Sequence, residues 1–166
     1  IEERCDPVLG PDQAVTICQG SSTDLPSLFD TGGLLAEWTL NGGPIPPPTA
    51  ATQAGVYAIS VTTADGCTDV AEAVLDVQPR PALGADQAVG LCSGTTTDLA
   101  SLFVTTGLTT DWTFNGAPLG NPGAASVDGV YQLVAADANG CADTAMVTVT
   151  LWPGPALGAD EVASTC

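Results

Sequence analysis

Apolar and polar residues alternate along four segments of the chain, and the alternation repeats between distant copies. Tyr131, Leu133 and Ala135 share one parity of the stretch Asp128–Ala135, as Tyr57, Ile59 and Val61 do earlier. Downstream, Ala145, Val147, Val149 and Leu151 point one way, and Thr144, Met146, Thr148 and Thr150 the other. Ala71, Ala73, Leu75 and Val77 form the matching inward set, with Glu72 and Asp76 outward. A period of two is the signature of half-buried strands. Thr110–Phe114, Asn115-Gly116 and Ala117–Leu119 read as strand, two-residue turn and return strand, and Ala36–Leu40, Asn41-Gly42 and Gly43–Ile45 repeat them. Asn-Gly tolerates the positive φ that a tight hairpin needs at both central residues. Gln13–Ile17 and Gln87–Leu91 read as short first strands. In Thr97–Phe103 and Thr23–Phe29, Leu, Leu and Phe fall at i, i+3 and i+4, which predicts a single helical turn with Pro26 tolerated at its start.

The copies lie in strict register. Pro7 and Pro81, Cys18 and Cys92, and Asp86 and Asp160 are each 74 residues apart, and about half of the aligned positions are identical. A fixed period means an array of like units. We divide the chain into a lead (residues 1–6), two full repeats (7–80 and 81–154) and the opening of a third (155–166), and expect it to be a window on a longer array. Short strands, regular turns and one tryptophan in an early strand predict an all-β chain of tandem sandwiches, about seven strands in each. A unit of this size buries only about 60% of its unfolded surface, so covalent or neighbour support is expected.

Composition narrows the functional classes. Two basic residues face nineteen acids, for a net charge of −17. Nucleic acid is excluded as a partner, because phosphate binding needs a basic footprint. The acids are scattered and 45% of residues are apolar, which fits a folded chain with a soluble, self-repelling surface. With no histidine or lysine, a Ser-His-Asp set, a Cys-His pair and a Schiff base are all ruled out. Paired carboxylates remain, but Asp12/Asp86/Asp160, Asp24/Asp98 and Asp69/Asp143 recur with the repeats. Recurrence suits a structural role in each unit, so no enzyme and no cofactor is expected. Asp12, Asp86 and Asp160 are calcium candidates, although no Asp-x-Asp-x-Asp-Gly loop appears. Trp38 and Trp112 sit in strands and read as core, with a sugar platform as the alternative. Six cysteines without zinc-ligand spacing point to disulfides and an oxidising, extracellular compartment. Ile1–Arg4 is no signal peptide, and no apolar run approaches a membrane span.

Gly129-Val130-Tyr131-Gln132-Leu133, downstream of Trp112, resembles the tyrosine-corner strand of immunoglobulin-like folds, with Leu133 and Ile59 where the core cysteine usually stands. The fuller pattern runs Leu-Gly-x-Asp, Cys-x-Gly, Trp, Gly-x-Tyr and Asn/Asp-Gly-Cys. It resembles the tandem immunoglobulin-like and PKD-like repeats of large surface proteins in gliding, type-IX-secreting bacteria of the Bacteroidetes group. The likeness implies stalks, adhesin shafts or extracellular fibres, whose partners are neighbouring repeats or identical chains. Asp143-Thr144-Ala145 resembles the O-glycosylation triplet of such bacteria, with Thr144 as the acceptor and a plain outward threonine as the alternative.

In a sandwich of immunoglobulin-like order, Cys18 ends the first strand at one end of its unit and Cys67 lies at the other. A disulfide needs Cα atoms within about 7 Å, so the expected scheme is staggered. Cys18 takes Cys141, Cys5 (which replaces the equivalent of Pro79) takes Cys67, and Cys92 and Cys166 reach later units. Pairing inside each unit, Cys18–Cys67 and Cys92–Cys141, is the alternative. Two functions remain open: a structural stalk or fibre, or a recognition module whose loops Ile45–Ala54 and Leu119–Val127 bind a glycan or protein.

Overall fold

The computed structural model describes residues 9–154. The chain divides into two compact units, Ile1–Arg80 and Pro81–Cys166. In the first, the strands are β1 (Gln13–Cys18), β2 (Ala36–Leu40), β3 (Gly43–Ile45), β4 (Gly55–Thr62) and β5 (Thr68–Gln78). In the second they are β6 (Gln87–Cys92), β7 (Thr109–Phe114), β8 (Ala117–Pro118), β9 (Gly129–Ala136) and β10 (Ala142–Trp152). Each set forms one five-stranded sheet, in the order β1-β5-β4-β2-β3 and β6-β10-β9-β7-β8. The first strand of each unit runs parallel to its last, and every other pairing is antiparallel.

The other layer is thinner than seven full strands would make it. Its two remaining strand positions are reduced to single bridges, Thr23↔Ala51 and Thr97↔Ala125. The expected helical turns are 3-10 turns at Pro26–Leu28 and Ala100–Leu102, with Pro26 at the start of the first. Leu25 and Phe29 enter the core while Leu28 stays 37% exposed. One turn cannot hold three side chains on a face that the chain leaves immediately in an extended conformation.

Inward parity follows the alternation. Tyr57, Ile59, Val61, Ala71, Ala73 and Leu75 are buried in the first unit; Tyr131, Leu133, Ala135, Ala145, Val147 and Val149 are buried in the second. Val77 and Leu151, at the far ends of β5 and β10, are only partly buried. Large residues face small ones across the pairing, Tyr57 opposite Ala73 and Ile59 opposite Ala71. That leaves room for the aromatic pairs Phe29–Trp38 and Phe103–Trp112, with centroids 6.0 and 6.1 Å apart.

Both hairpins turn on Asn-Gly with positive φ at each central residue, 49° and 84° at Asn41 and Gly42, 48° and 84° at Asn115 and Gly116. The turn asparagine also latches the next strand. Asn41 Oδ1 accepts the Val56 N–H at 3.0 Å, and Asn115 Oδ1 accepts that of Val130 at 3.3 Å. At the start of β4 and β9 a tyrosine hydroxyl donates to a carbonyl four residues upstream: Tyr57 to Gln53 at 2.8 Å, Tyr131 to Val127 at 2.9 Å.

Candidate functional site

The four described cysteines occupy two kinds of place. Cys18 and Cys92 end the edge strands β1 and β6, where the chain turns back: the Ser21 N–H donates to the Cys18 carbonyl, and the Thr95 N–H and hydroxyl donate to that of Cys92. Cys67 and Cys141 close the turns that feed β5 and β10. The Thr63 hydroxyl accepts the Cys67 N–H at 3.1 Å, and Asp137 Oδ1 accepts that of Cys141 at 3.0 Å. A return bond from residue 63 or 137 to the cysteine carbonyl fixes each turn, and Gly66 and Gly140 supply the positive φ.

The strand register separates the two kinds within a unit. Cys18 lies beside Gln78, the last residue of β5, whereas Cys67 immediately precedes Thr68, its first. Eleven residues at ~3.3 Å each hold them about 36 Å apart. Cys92 beside Trp152 and Cys141 ahead of Ala142 repeat the arrangement. No disulfide spans that length, so Cys18–Cys67 and Cys92–Cys141 are geometrically excluded. The oxidation states agree: Cys18, Cys67 and Cys141 are disulfide-bonded, while Cys92 is a free, exposed thiol. Cys5 and Cys166 lie outside the described residues.

The other candidates resolve as follows. Trp38 and Trp112 are 3% and 8% exposed, which removes them as sugar platforms. Asp12 Oδ1 accepts the Glu72 N–H and Asp86 Oδ1 that of Met146, each at 2.8 Å. Asp69 and Asp143 return the bond to Leu9 and Leu83, each at 2.9 Å. The recurring acids therefore clamp the segment before each first strand to the last strand. Among the described residues, no group of three or more His, Cys, Asp or Glu is placed to hold a metal ion. Asp160 lies outside them. Thr144 is exposed on the outward parity of β10. No described helix is long and apolar enough to cross a membrane.

Of the variable loops, Ile45–Ala54 borders an open recess of about 310 Å³ lined by Leu40, Ile45, Pro46, Pro48 and Gln53. Leu119–Val127 carries a 3-10 turn at Pro122–Ala124, capped by Asn121. Sequence reasoning missed an exchange confined to the second unit. Trp152 is 61% exposed, and its indole nitrogen would lie 2.9 Å from any Cβ on Gly90. One period earlier these positions are Gln78 and Thr16. Comparing the repeats for paired changes could have found it.

A tyrosine corner, an Asn-Gly hairpin feeding the corner strand, a first strand parallel to the last and a buried tryptophan define the fold. Each unit is an immunoglobulin-like β-sandwich.

Comparison with known proteins adds likeness at the level of fold. No protein-family profile matches the chain, and no curated protein matches it. Immunoglobulin domains 1–4 of Sidekick-1 align over 87% of this chain and 51% of theirs, at 15% identity and a TM-score of 0.35. The insect immune protein hemolin aligns over 86% of this chain and 45% of its own, at 12% identity and a TM-score of 0.41. The tandem immunoglobulin repeats of Dlar align over 87% and 97%, at 13% identity and a TM-score of 0.32. The chain thus spans about half the length of the Sidekick-1 and hemolin chains it matches.

Proposed function

We propose that this chain is a non-enzymatic structural segment of a long, secreted bacterial surface protein, whose immunoglobulin-like units are joined by disulfides into a stiff extracellular stalk or fibre. The observation that carries this reading is the cysteine pattern. Own-unit pairing is sterically closed, yet Cys18, Cys67 and Cys141 are oxidised while Cys92 is not. A staggered scheme accounts for all four: Cys18 joins Cys141, Cys5 takes Cys67, and Cys92 is left for a later unit. Each cross-link adds about 2–4 kcal/mol to units whose cores are small. Bacterial origin and surface location rest on the sequence resemblance. The partners in this reading are neighbouring repeats of one chain or identical chains. Peptide mapping without reduction tests it: a Cys18–Cys141 peptide is expected, and Cys18 found with any other cysteine overturns the scheme.

Two companion assignments belong to the same reading. Thr144, exposed beside Asp143, is the O-glycan acceptor, to be seen as a hexose-containing mass increment on its peptide from native material. An adhesin role is the second reading, favoured by the recess at Ile45–Gln53, which the Pro46–Pro48 run walls. Binding on a glycan array that is lost when that loop is exchanged for Leu119–Val127 would support it, whereas no binding above background leaves the stalk alone.

A further inference from the structure

We propose that the open edges of the two sheets, β1 and β6, pair with the same edges of a second copy of this chain and join copies side by side. The inference deepens the fibre reading above, on which it rests, by naming how identical chains meet. Each sheet has one blunted edge and one open edge. β3 has three residues and holds Pro44, and β8 has two and holds Pro118, so short length and a missing donor close that side. β1 and β6 have six residues each, Gln-Ala-Val-Thr-Ile-Cys and Gln-Ala-Val-Gly-Leu-Cys. Neither strand carries the charge or the proline that usually guards an edge.

The ladder fixes which backbone groups are free. The Gln19 N–H donates to the Gln78 carbonyl, and the Ser93 N–H to that of Trp152. Bonding sides alternate along a strand, so Ile17 and Val15 also face β5, and Leu91 and Val89 face β10. Ala14 and Thr16, like Ala88 and Gly90, therefore turn both N–H and C=O away from the sheet. Among the described residues, no backbone bond outside the ladders reaches any of them. A Cβ on Gly90 would leave by the sheet face, and the Trp152 indole fills that place. The ring thus lies over the face and leaves the edge clear.

Register, charge and period select a second copy as the occupant. Set antiparallel about a two-fold axis at Val89, β6 places Ala88 opposite Gly90 of the second copy, and each such pair exchanges both N–H···O bonds. The same holds for β1 centred on Val15, and for β1 against β6, because the open positions coincide. In this register Asp86 falls opposite Cys92, and Asp12 opposite Cys18, so no acid meets its counterpart. Both carboxylates are already held by the Met146 and Glu72 N–H groups. A charged peptide finds no ion partner on either strand. The same edge returns after 74 residues, and only a partner of equal period meets every repeat of it. Copies of charge −17 repel each other elsewhere, so pairing strengthens as salt screens them.

The test is amide hydrogen exchange on full-length chain with its free thiols alkylated, dilute at low salt and concentrated at high sodium chloride. Sedimentation is read on the same samples. At low salt the chain is expected to be single, with fast exchange at Ala14, Thr16, Ala88 and Gly90. At high salt it is expected to associate, and these amides to exchange roughly tenfold more slowly or beyond, with β3 and β8 unchanged. Ala14→Pro with Ala88→Pro removes outward donors only and is expected to stay single at both salt levels. Ala14→Glu with Ala88→Glu, at exposed positions that leave the fold intact, crowds carboxylates along the joined edge and is expected to do the same. Chain that stays single at high salt, association that leaves these amides unchanged, or protection already present in the dilute chain overturns the inference. So does association that persists in the glutamate variant. A disulfide map of the same sample separates this result from the stalk. A Cys18–Cys141 peptide in chain that stays single defeats edge pairing alone, and Cys18 with another partner defeats the stapled stalk whatever the exchange shows.

Discussion

Gly129 and Gly55 open the tyrosine strands for reasons of space. A Cβ on Gly129 would come within 2.7 Å of Phe114 Cε2, and one on Gly55 within 2.8 Å of Leu40 Cδ1, at φ of 144° and 156°. Phe114 in turn packs at a tilt against Tyr131, with centroids 4.6 Å apart, which limits how far the ring can retreat. Gly129→Ala is expected to cost about 2 kcal/mol from overpacking and backbone strain together, and Gly55→Ala a similar amount, because its Cβ would press on the Asn41 latch at 2.9 Å as well as on a leucine branch. Urea denaturation of the two variants checks both losses. Tyr131→Phe removes only the donor to the Val127 carbonyl and is expected to cost about 1 kcal/mol. The Gly-x-Tyr motif was visible in the sequence, but its cause was not. Alternation tells which face a residue takes, not which atoms meet across the sheet.

At the scale of elements, the parallel edge strands depend on side chains outside them. Asp12 and Asp69 exchange bonds with the backbone at Glu72 and Leu9, and Asp86 and Asp143 do the same at Met146 and Leu83. Asp86→Ala or Asp143→Ala is expected to destabilise the second unit by about 1 kcal/mol each. The double variant should cost less than the sum, because either loss frees the same segment; a double-mutant cycle by thermal unfolding measures the coupling. Since two of the three calcium candidates already bind backbone donors, a chelator is expected to leave the melting temperature unchanged. A drop of several degrees would assign a metal to them. The strands of the sheet were legible because their period of two survives in both copies. The thin second layer was not, because Thr23–Phe29, read as a helical turn, and Ile45–Ala54, read as a loop, carry proline and too few alternating positions to reveal the bridge between Thr23 and Ala51. The recurrence of Asp12/Asp86 and Asp69/Asp143 signalled a structural role, but not the 60-residue reach across which each aspartate binds.

For the whole molecule, charge and cross-linking act in opposite directions on stability. Nineteen acids against two arginines leave little scope for compensating ion pairs, so self-repulsion favours expanded states. Disulfides oppose that expansion by limiting the unfolded chain. Salt should therefore matter most when the cross-links are gone. Screening lengths fall from about 30 Å at 0.01 M salt to about 3 Å at 1 M, and long-range repulsion falls with them. The oxidised chain is expected to melt several degrees higher at the upper salt level than at the lower, and the reduced chain to gain more, because its unfolded state is free to swell. The measurement is four melting curves, oxidised and reduced at two salt concentrations, with sodium chloride chosen so that sulfate does not strengthen apolar burial independently. Equal gains in the two redox states would mean that repulsion acts within the folded units alone. A loss of stability with salt would mean that specific charge contacts, and not net charge, govern the chain.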